Sequence, residues 1–260
     1  PTPTKWDNDM SSIRIVSSGD YIRVTADPTV EPGVEILFAP GMASDLARSC
    51  AKPTATGNPT HRNTLTNLGN GDGLGFAFTN GGCTTATTDE RHNFEMVDFS
   101  NLDTAISAGS RHGNAPHFNG NVGNFTFDDV SFTDVGTAIK HGSGGGTGFD
   151  LSGVSITNAT GSCVDLPDDA TLTWVEGTAT NCNTNLGSSD GGILTGDGSS
   201  INLENVDFVD SAQNGIIGGA LDITVSNVSM STSGLNRLSL AGTSLGQTGG
   251  QTSGTKLNVF

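Results

Sequence analysis

Apolar and polar residues alternate with a period of two in short runs along most of the chain, and the runs return. One copy is Phe125-Thr126-Phe127-Asp128-Asp129-Val130-Ser131-Phe132-Thr133-Asp134. The same order follows at Phe149, Leu151, Val154, Ile156 and Asn158, then at Leu172, Trp174, Gly177, Ala179 and Asn181. It follows again at Ile201, Leu203, Val206, Phe208 and Asp210, and at Ile223, Val225, Val228 and Met230, with Thr232 in the polar place. An earlier copy has Phe94, Val97, Phe99 and Asn101. A period of two turns one face of an extended strand inward. The runs are too short, and too interrupted by Gly, for amphipathic helices.

The Val-equivalent places fall at 97, 130, 154, 177, 206 and 228, so steps of 22 to 24 residues recur. The two longer steps carry Gly/Ser/Asn-rich insertions, Gly109 to Gly123 and Asn183 to Gly198. A third apolar patch sits seven residues after the second strand, at Ile106, Ile139 and Cys163, and slips to Ile216 and Leu238 in later copies. A repeat of about 22 residues accommodates three short strands and three turns, one coil of a stacked solenoid. The predicted fold is all-β: a right-handed, single-stranded parallel β-helix with three strands per coil. Stacking at about 4.8 Å sets like residues over like. Val97, Val130, Val154, Val206 and Val228 form one interior pile, and Phe99, Phe132, Ile156, Phe208 and Met230 another. Gly177 and Ala179 leave a thin place, for which Trp174 is the neighbour able to supply volume.

One polar column marks the fold most specifically. Asn101, Asp134, Asn158, Asn181 and Asp210 share the place after the second strand. Asn and Asp tolerate left-handed backbone and bond local backbone groups, so they suit a sharp corner and can reach the next coil.

The N-terminal third has strand candidates at Ile13–Val16, Tyr21–Thr25 and Val34–Phe38. The stretch from Asp20 to Gly41 contains a polar strand, the turn Val30-Glu31-Pro32-Gly33-Val34, and a short apolar strand ending in Pro40-Gly41. It resembles the opening coils of secreted bacterial right-handed β-helix proteins, the pectate-lyase-like solenoid superfamily. Leu74-Gly75-Phe76-Ala77-Phe78 looks like a further strand of that kind. The resemblance covers most of residues 12–240 and departs from the pattern between Asp45 and His61. The chain reads as one domain in three parts: N-terminal coils and cap over 1–90, regular repeats over 91–241, and a Gly/Thr-rich tail over 242–260. In that tail Gly242–Gly254 is expected to be irregular and Lys256–Phe260 a last strand. No amphipathic cap follows residue 240, so the tail folds back or the end meets another chain.

Composition narrows the function. Only 33% of the residues are apolar and 37 are Gly, which a narrow solenoid core tolerates. Eleven Lys+Arg face 27 Asp+Glu, a formal charge of -16. With no basic stripe, neither nucleic acid nor an anionic membrane is expected as a partner. An acidic surface serves solubility, high salt or divalent cations. No run of 18 apolar residues exists, so no transmembrane helix is expected. The opening Pro1-Thr2-Pro3-Thr4, without Met or a signal-peptide pattern, reads as a processed N-terminus or an engineered boundary. Four cysteines, Cys50, Cys83, Cys163 and Cys182, form no CxxC pair, which argues against structural zinc. Their even number points to an oxidising compartment and an extracellular or cell-surface protein. Sequence order suggests Cys50–Cys83 and Cys163–Cys182, with three pairings open; four free thiols is the alternative. Sequons at Asn124, Asn158 and Asn227 are glycosylation candidates.

Enzymatic chemistry must be weighed, because the resemblance implies a superfamily that hosts polysaccharide lyases and polygalacturonase-like hydrolases, while a fold alone fixes no function. A lyase needs an Arg or Lys base; Arg91, Arg111 and Lys140 are the cations available. A hydrolase needs two carboxylates at a set separation. Asp128-Asp129 and Asp168-Asp169 are adjacent pairs, and adjacent strand residues face opposite ways. The Asn-x-Asp, Gly-His-Gly and Arg-x-Lys motifs that resemblance to polygalacturonases would imply are absent. His112, His117 and His141, with Arg111, Lys140 and His92, form the sharpest cluster, expected to converge on one edge as a catalytic base or metal site. The turns from Asp165 to Asp169 and from Asp190 to Asp197 offer Asp165, Asp168, Asp169, Asp190 and Asp197 to calcium, the one cofactor considered; the fold requires none. Outward places hold Thr126, Asp150, Thr173, Asn202 and Thr224 beside Ser131, Ser155, Thr178, Asp207 and Ser229, a hydroxyl-rich face suited to glycans. Regular Thr-x-Thr ranks are not apparent, which argues against ice binding. The leading expectation is a non-catalytic extracellular solenoid whose partners are further copies of itself, forming a filament or matrix. A carbohydrate-active enzyme and a glycan-binding module are the alternatives, with an extracellular polysaccharide as partner.

Overall fold

The computed structural model describes residues 5–6, 13–15, 21–23, 29–38, 43–45, 54–67, 74–78, 91–108, 124–141, 147–166, 168–184, 191–211, 214–219, 222–232, 236–240, 244–248 and 257–259. Every regular element among them is a β-strand, and every strand pairing is parallel. The strands fall into three stacks. The first runs Lys5–Trp6, Thr29–Val30, Thr54–Thr56, Arg91–Glu95, Asn124–Asp128, Gly148–Ser152, the front halves of Thr171–Thr180 and Ser200–Ser211, Asp222–Ser226 and Ser244–Thr248. The second runs Ile13–Ile15, Glu35–Phe38, Asn63–Asn67, Val97–Ser100, Ser131–Thr133, Ser155–Thr157, the back halves of the same two long strands, and Ser229–Thr232. The third contains the ten remaining strands, from Tyr21–Arg23 to Leu257–Val259. The chain visits the stacks in turn and then repeats, which makes an all-β parallel solenoid with three strands per coil.

The interior files fall where the alternation puts them. Phe99, Phe132, Ile156, Ala179, Phe208 and Met230 stack directly, and Leu65 and Ile36 extend the file into earlier coils. The neighbouring pairs Asp98↔Ser131, Ser131↔Ser155, Ser155↔Thr178 and Asp207↔Ser229, with Gly177↔Val206, put Val97, Val130, Val154, Gly177, Val206 and Val228 in the adjacent file. Phe99 lies on Phe132 at 4.9 Å between ring centroids and Phe94 on Phe127 at 5.3 Å. Such stacked rings contribute about 0.5–1.5 kcal/mol per pair beyond the area they bury.

Two expectations about the third stack change. Val164, not Cys163, completes the Ile106–Ile139 file, followed by Ile193 and Ile216. The turn after Ile156 is one residue longer than the corresponding turns after Phe99 and Phe132. Cys163 therefore moves into the adjacent buried file, over Ala138. The tail also differs: Ser244–Thr248, inside the stretch expected to be irregular, is a strand paired with Asp222–Ser226, while Leu257–Val259 is the expected last strand.

Both corners flanking the second stack depend on left-handed backbone. Asn101, Asp134, Asn158, Asn181 and Asp210 have φ between 54° and 60°. Asn158 Nδ2 donates to Asp134 Oδ1 and Asn181 Nδ2 to Asn158 Oδ1, each at 2.9 Å. The backbone N–H of Asp134, Asn158 and Asn181 each donates to a carbonyl of the following coil. This is the predicted ladder. The first-to-second corner is a second one: Met96, Asp129, Gly153, Glu176, Asn205 and Asn227 also have positive φ. There Asn227 Nδ2 donates to Asn205 Oδ1 at 2.7 Å.

Cys163 and Cys182 form a disulfide with Cα atoms 5.3 Å apart, the pairing suggested by sequence order. Cys50 and Cys83 lie outside the described residues. No described helix is long and apolar enough to cross a membrane.

Candidate functional surface

The histidine-centred cluster separates. His92 is buried in the first stack, its ring 4.6 Å from that of Phe125. Its place in the strand alternation turns it inward, in file with Phe125 and Phe149. Lys140 and His141 belong to the third stack, where Lys140 is exposed and pairs across the rungs with Ser107 and Asp165. The convergence of His92 with Lys140 and His141 is thus corrected: interior files and outer faces alternate, and His92 occupies an interior place. Arg111, His112 and His117 lie outside the described residues.

The acidic turns come together in part. Asp168, Asp169 and Asp197 are exposed at the corner leading into the first stack. The Asp197 N–H donates to Asp168 Oδ1 at 2.9 Å, and the Asp169 N–H to the Asp197 carbonyl at 2.8 Å. One Asp168 oxygen thus already serves the backbone. Asp165 sits on the third-stack strand Val164–Leu166, and Asp190 lies outside the described residues. Among the described residues no group of three or more His, Cys, Asp or Glu is placed to hold a metal ion.

The sequons double as structural positions. Asn158 and Asn227 each commit their side-chain nitrogen to a ladder bond. Asn124 accepts from the Gly148 N–H at 3.1 Å. A glycan on Asn158 or Asn227 would have to displace a rung.

A charged network appears that sequence reading did not anticipate. Arg62 Nε bonds both carboxylate oxygens of Asp98, at 3.0 and 2.9 Å. Its Nη1 lies 3.0 Å from Asp129 Oδ2, and its Nη2 donates to the Asp129 carbonyl at 2.6 Å. Ser131 Oγ donates to Asp98 Oδ1 at 2.7 Å. One guanidinium therefore ties three successive coils. Partial burial pulls the Arg62 pKa down, but hydrogen bonding and charge from Asp98, and then from Asp129, hold it above its ordinary value. The Arg62 side chain is 27% exposed, so water replaces much of what the network supplies. Arg62→Met is expected to lower stability by only about 0.5–1 kcal/mol, read as a small shift of the urea midpoint at constant slope.

The outward face of the second stack is more regular than expected. The file Thr64, Asp98, Ser131, Ser155 and Thr178 runs beside a second file, Thr66, Ser100, Thr133, Thr157 and Thr180. Five successive coils thus present a polar pair two residues apart, all hydroxyl-bearing except Asp98. Val209 ends the second file one coil later. The ranks are mixed rather than regular Thr-x-Thr: Ser and Thr interchange, so the repeat lies in the hydroxyl rather than in one residue type. On the first stack Thr126, Asp150, Thr173, Asn202 and Thr224 stand in the predicted outward register.

Comparison with protein-family models, curated proteins and solved structures gives no match. What this surface offers therefore rests on its own geometry: a polar lattice in register on a scaffold whose coils are tied by interior files and two corner ladders.

Proposed function

We propose that this chain is an extracellular structural solenoid that presents a rigid polar surface and associates head to tail with further copies. The observation that supports the reading is the continuity of axial bonding: interior files and corner ladders carry the same register from coil to coil. Such a scaffold resists bending, and any uncapped end strand of a parallel solenoid is an edge with which a further copy can pair. A disulfide fits an oxidising compartment, and a charge of -16 keeps an extended body soluble. Head-to-tail contact would be heterologous, so it propagates rather than closes.

Sedimentation velocity across a concentration series, with electron microscopy of the same samples, tests the assembly. Concentration-dependent growth into rods one solenoid wide is expected. A strictly monomeric particle at the highest concentration removes self-assembly from the proposal.

The two hydroxyl files favour a second reading, a glycan-binding module. Co-sedimentation with insoluble polysaccharides, using the chain and a Thr133→Tyr/Thr157→Tyr variant, tests it. Binding that survives the obstructed face eliminates that surface. A carbohydrate-active enzyme is probed by release of unsaturated or reducing ends from a polysaccharide panel, with and without calcium. Activity unchanged by both Lys140→Ala and His141→Ala would discard those two residues.

A further inference from the structure

We propose that the seventh coil, Thr171 to Thr195, is a weak interior joint of this solenoid, and that the Cys163–Cys182 disulfide is the redox-sensitive latch holding it shut. The coil gives little to the interior files it crosses. It supplies Gly177 where Val97, Val130, Val154, Val206 and Val228 stand in other coils, Ala179 where most supply Phe, Ile or Met, and Gly192 in the file of Ala138 and Cys163. Between Leu172 and Ile193 its interior volume comes chiefly from one side chain, Trp174, whose indole nitrogen is buried without a hydrogen-bond partner. Ser162 Oγ, next to Cys163, is likewise buried without one. Orphaned polar atoms destabilise the place where they occur. Two of them therefore flank the boundary between coils six and seven, beside Gly177 and Ala179.

The disulfide spans that boundary. Cys163 precedes the third strand of coil six, and Cys182 follows the second-stack segment of coil seven. The bridge lies beside the Asn181–Asn158 rung and joins the same two coils covalently. It closes a loop of 19 residues, which restricts the opened state. Both cysteines are fully buried, so a reductant reaches the bridge only when the coil opens. Reduction by a soluble dithiol is balanced: the S–S bond breaks, two electrons and two protons pass to Cys163 and Cys182, and the dithiol closes into its own disulfide. Nothing covalent then holds these two coils together at this corner, and opening there becomes frequent.

Native-state hydrogen exchange by mass spectrometry tests this on the whole chain in three states: oxidised, reduced and alkylated, and carrying Cys163→Ala with Cys182→Ala. Alanine suits both places, since Ala138 and Ala159 fill the equivalent positions one coil earlier. Amides of Ser155–Thr157, Val164–Leu166 and Thr171–Thr180 are expected to exchange more than about ten-fold faster without the bridge. Those of Asn124–Asp128 should keep their rates. In the oxidised protein, Ser162→Ala should slow both exchange in these strands and reduction by the dithiol. Acceleration spread evenly over all coils, or none at all, overturns the proposal. Should the double variant fail to fold, the reduced wild-type chain decides.

Discussion

Trp174→Ala is expected to lower the unfolding free energy by about 3–5 kcal/mol, among the largest losses any single truncation in this core would give. Trp174 is fully buried and meets Phe208 edge to face at 5.8 Å. Its indole occupies the space that a side chain at position 177 would need: a Cβ on Gly177 would collide with Trp174 Nε1 and crowd the Val154 carbonyl. Neither Gly177 nor Ala179 can fill the hole that truncation leaves. A smaller gain runs the other way, because the unpartnered indole N–H disappears with the ring. Trp174→Phe separates the two effects. It keeps an aromatic ring, removes the orphaned donor, and is expected to cost less than about 1.5 kcal/mol. Gly177→Val restores the residue type of the file and is nonetheless expected to be severely destabilising, since the indole already fills the site. Combining it with Trp174→Leu should recover part of the loss, giving a coupling of about 0.5–3 kcal/mol in a double-mutant cycle. Urea denaturation of these variants, and of Trp174→Leu alone to close the cycle, provides the measurement. Simple additivity would show that the two positions do not exchange volume.

That exchange was legible in the sequence, and so was most of the interior. Alternation fixes which residues face inward, and the recurrence of Val130, Val154 and Val206 fixes which of them stack. The ladder of Asn158 and Asn181 was legible because Asn and Asp are the residues that tolerate left-handed backbone. The opposite corner was hidden for the same reason. Met96 and Glu176 adopt φ of 52° and 54° there, and neither residue type signals that conformation. Register, not residue preference, forces them into it. The Arg62 network joins residues 36 and 67 positions apart, so no local pattern carries it. Cys163 was misplaced by a single extra turn residue, and His92 was grouped with Lys140 by repeat position although its strand turns it inward. The first hydroxyl file, Ser131, Ser155 and Thr178, is legible from the repeat, whereas the second, Thr133, Thr157 and Thr180, emerges only from the stacking of the coils. Of the candidate chemistry, the insertion that carries Arg111 and His112 follows no repeat, so periodicity does not position it.

The ladder supplies the second large effect. Asn158 sits at φ 60°, donates to Asp134 Oδ1 and accepts from Asn181 Nδ2. Asn158→Ala loses both bonds, at about 0.5–1.5 kcal/mol each, and places a Cβ-bearing residue without a polar side chain in left-handed backbone, at about 1–2 kcal/mol. The expected total is about 2–5 kcal/mol. Asn158→Gly loses the same two bonds without the backbone penalty, so the difference between the variants measures the corner's conformational cost by itself. Asn158→Asp tests the bonding in another way. The introduced carboxylate still accepts from Asn181 but faces Asp134, so ionisation of both is unfavourable and the pKa of the pair rises in the folded state. A carboxyl with a raised folded pKa stabilises most when protonated, and that contribution fades as pH rises through the folded value. The Asp variant should therefore approach wild-type stability near pH 4, where one proton restores a donor between the two carboxyls, and fall away towards pH 7. Asn158→Gly should not gain stability relative to wild type over that interval. Parallel pH profiles for the Asp and Gly variants would mean that the Asn158–Asp134 bond contributes nothing, leaving the corner to be held by backbone conformation and the coil-to-coil N–H bonds.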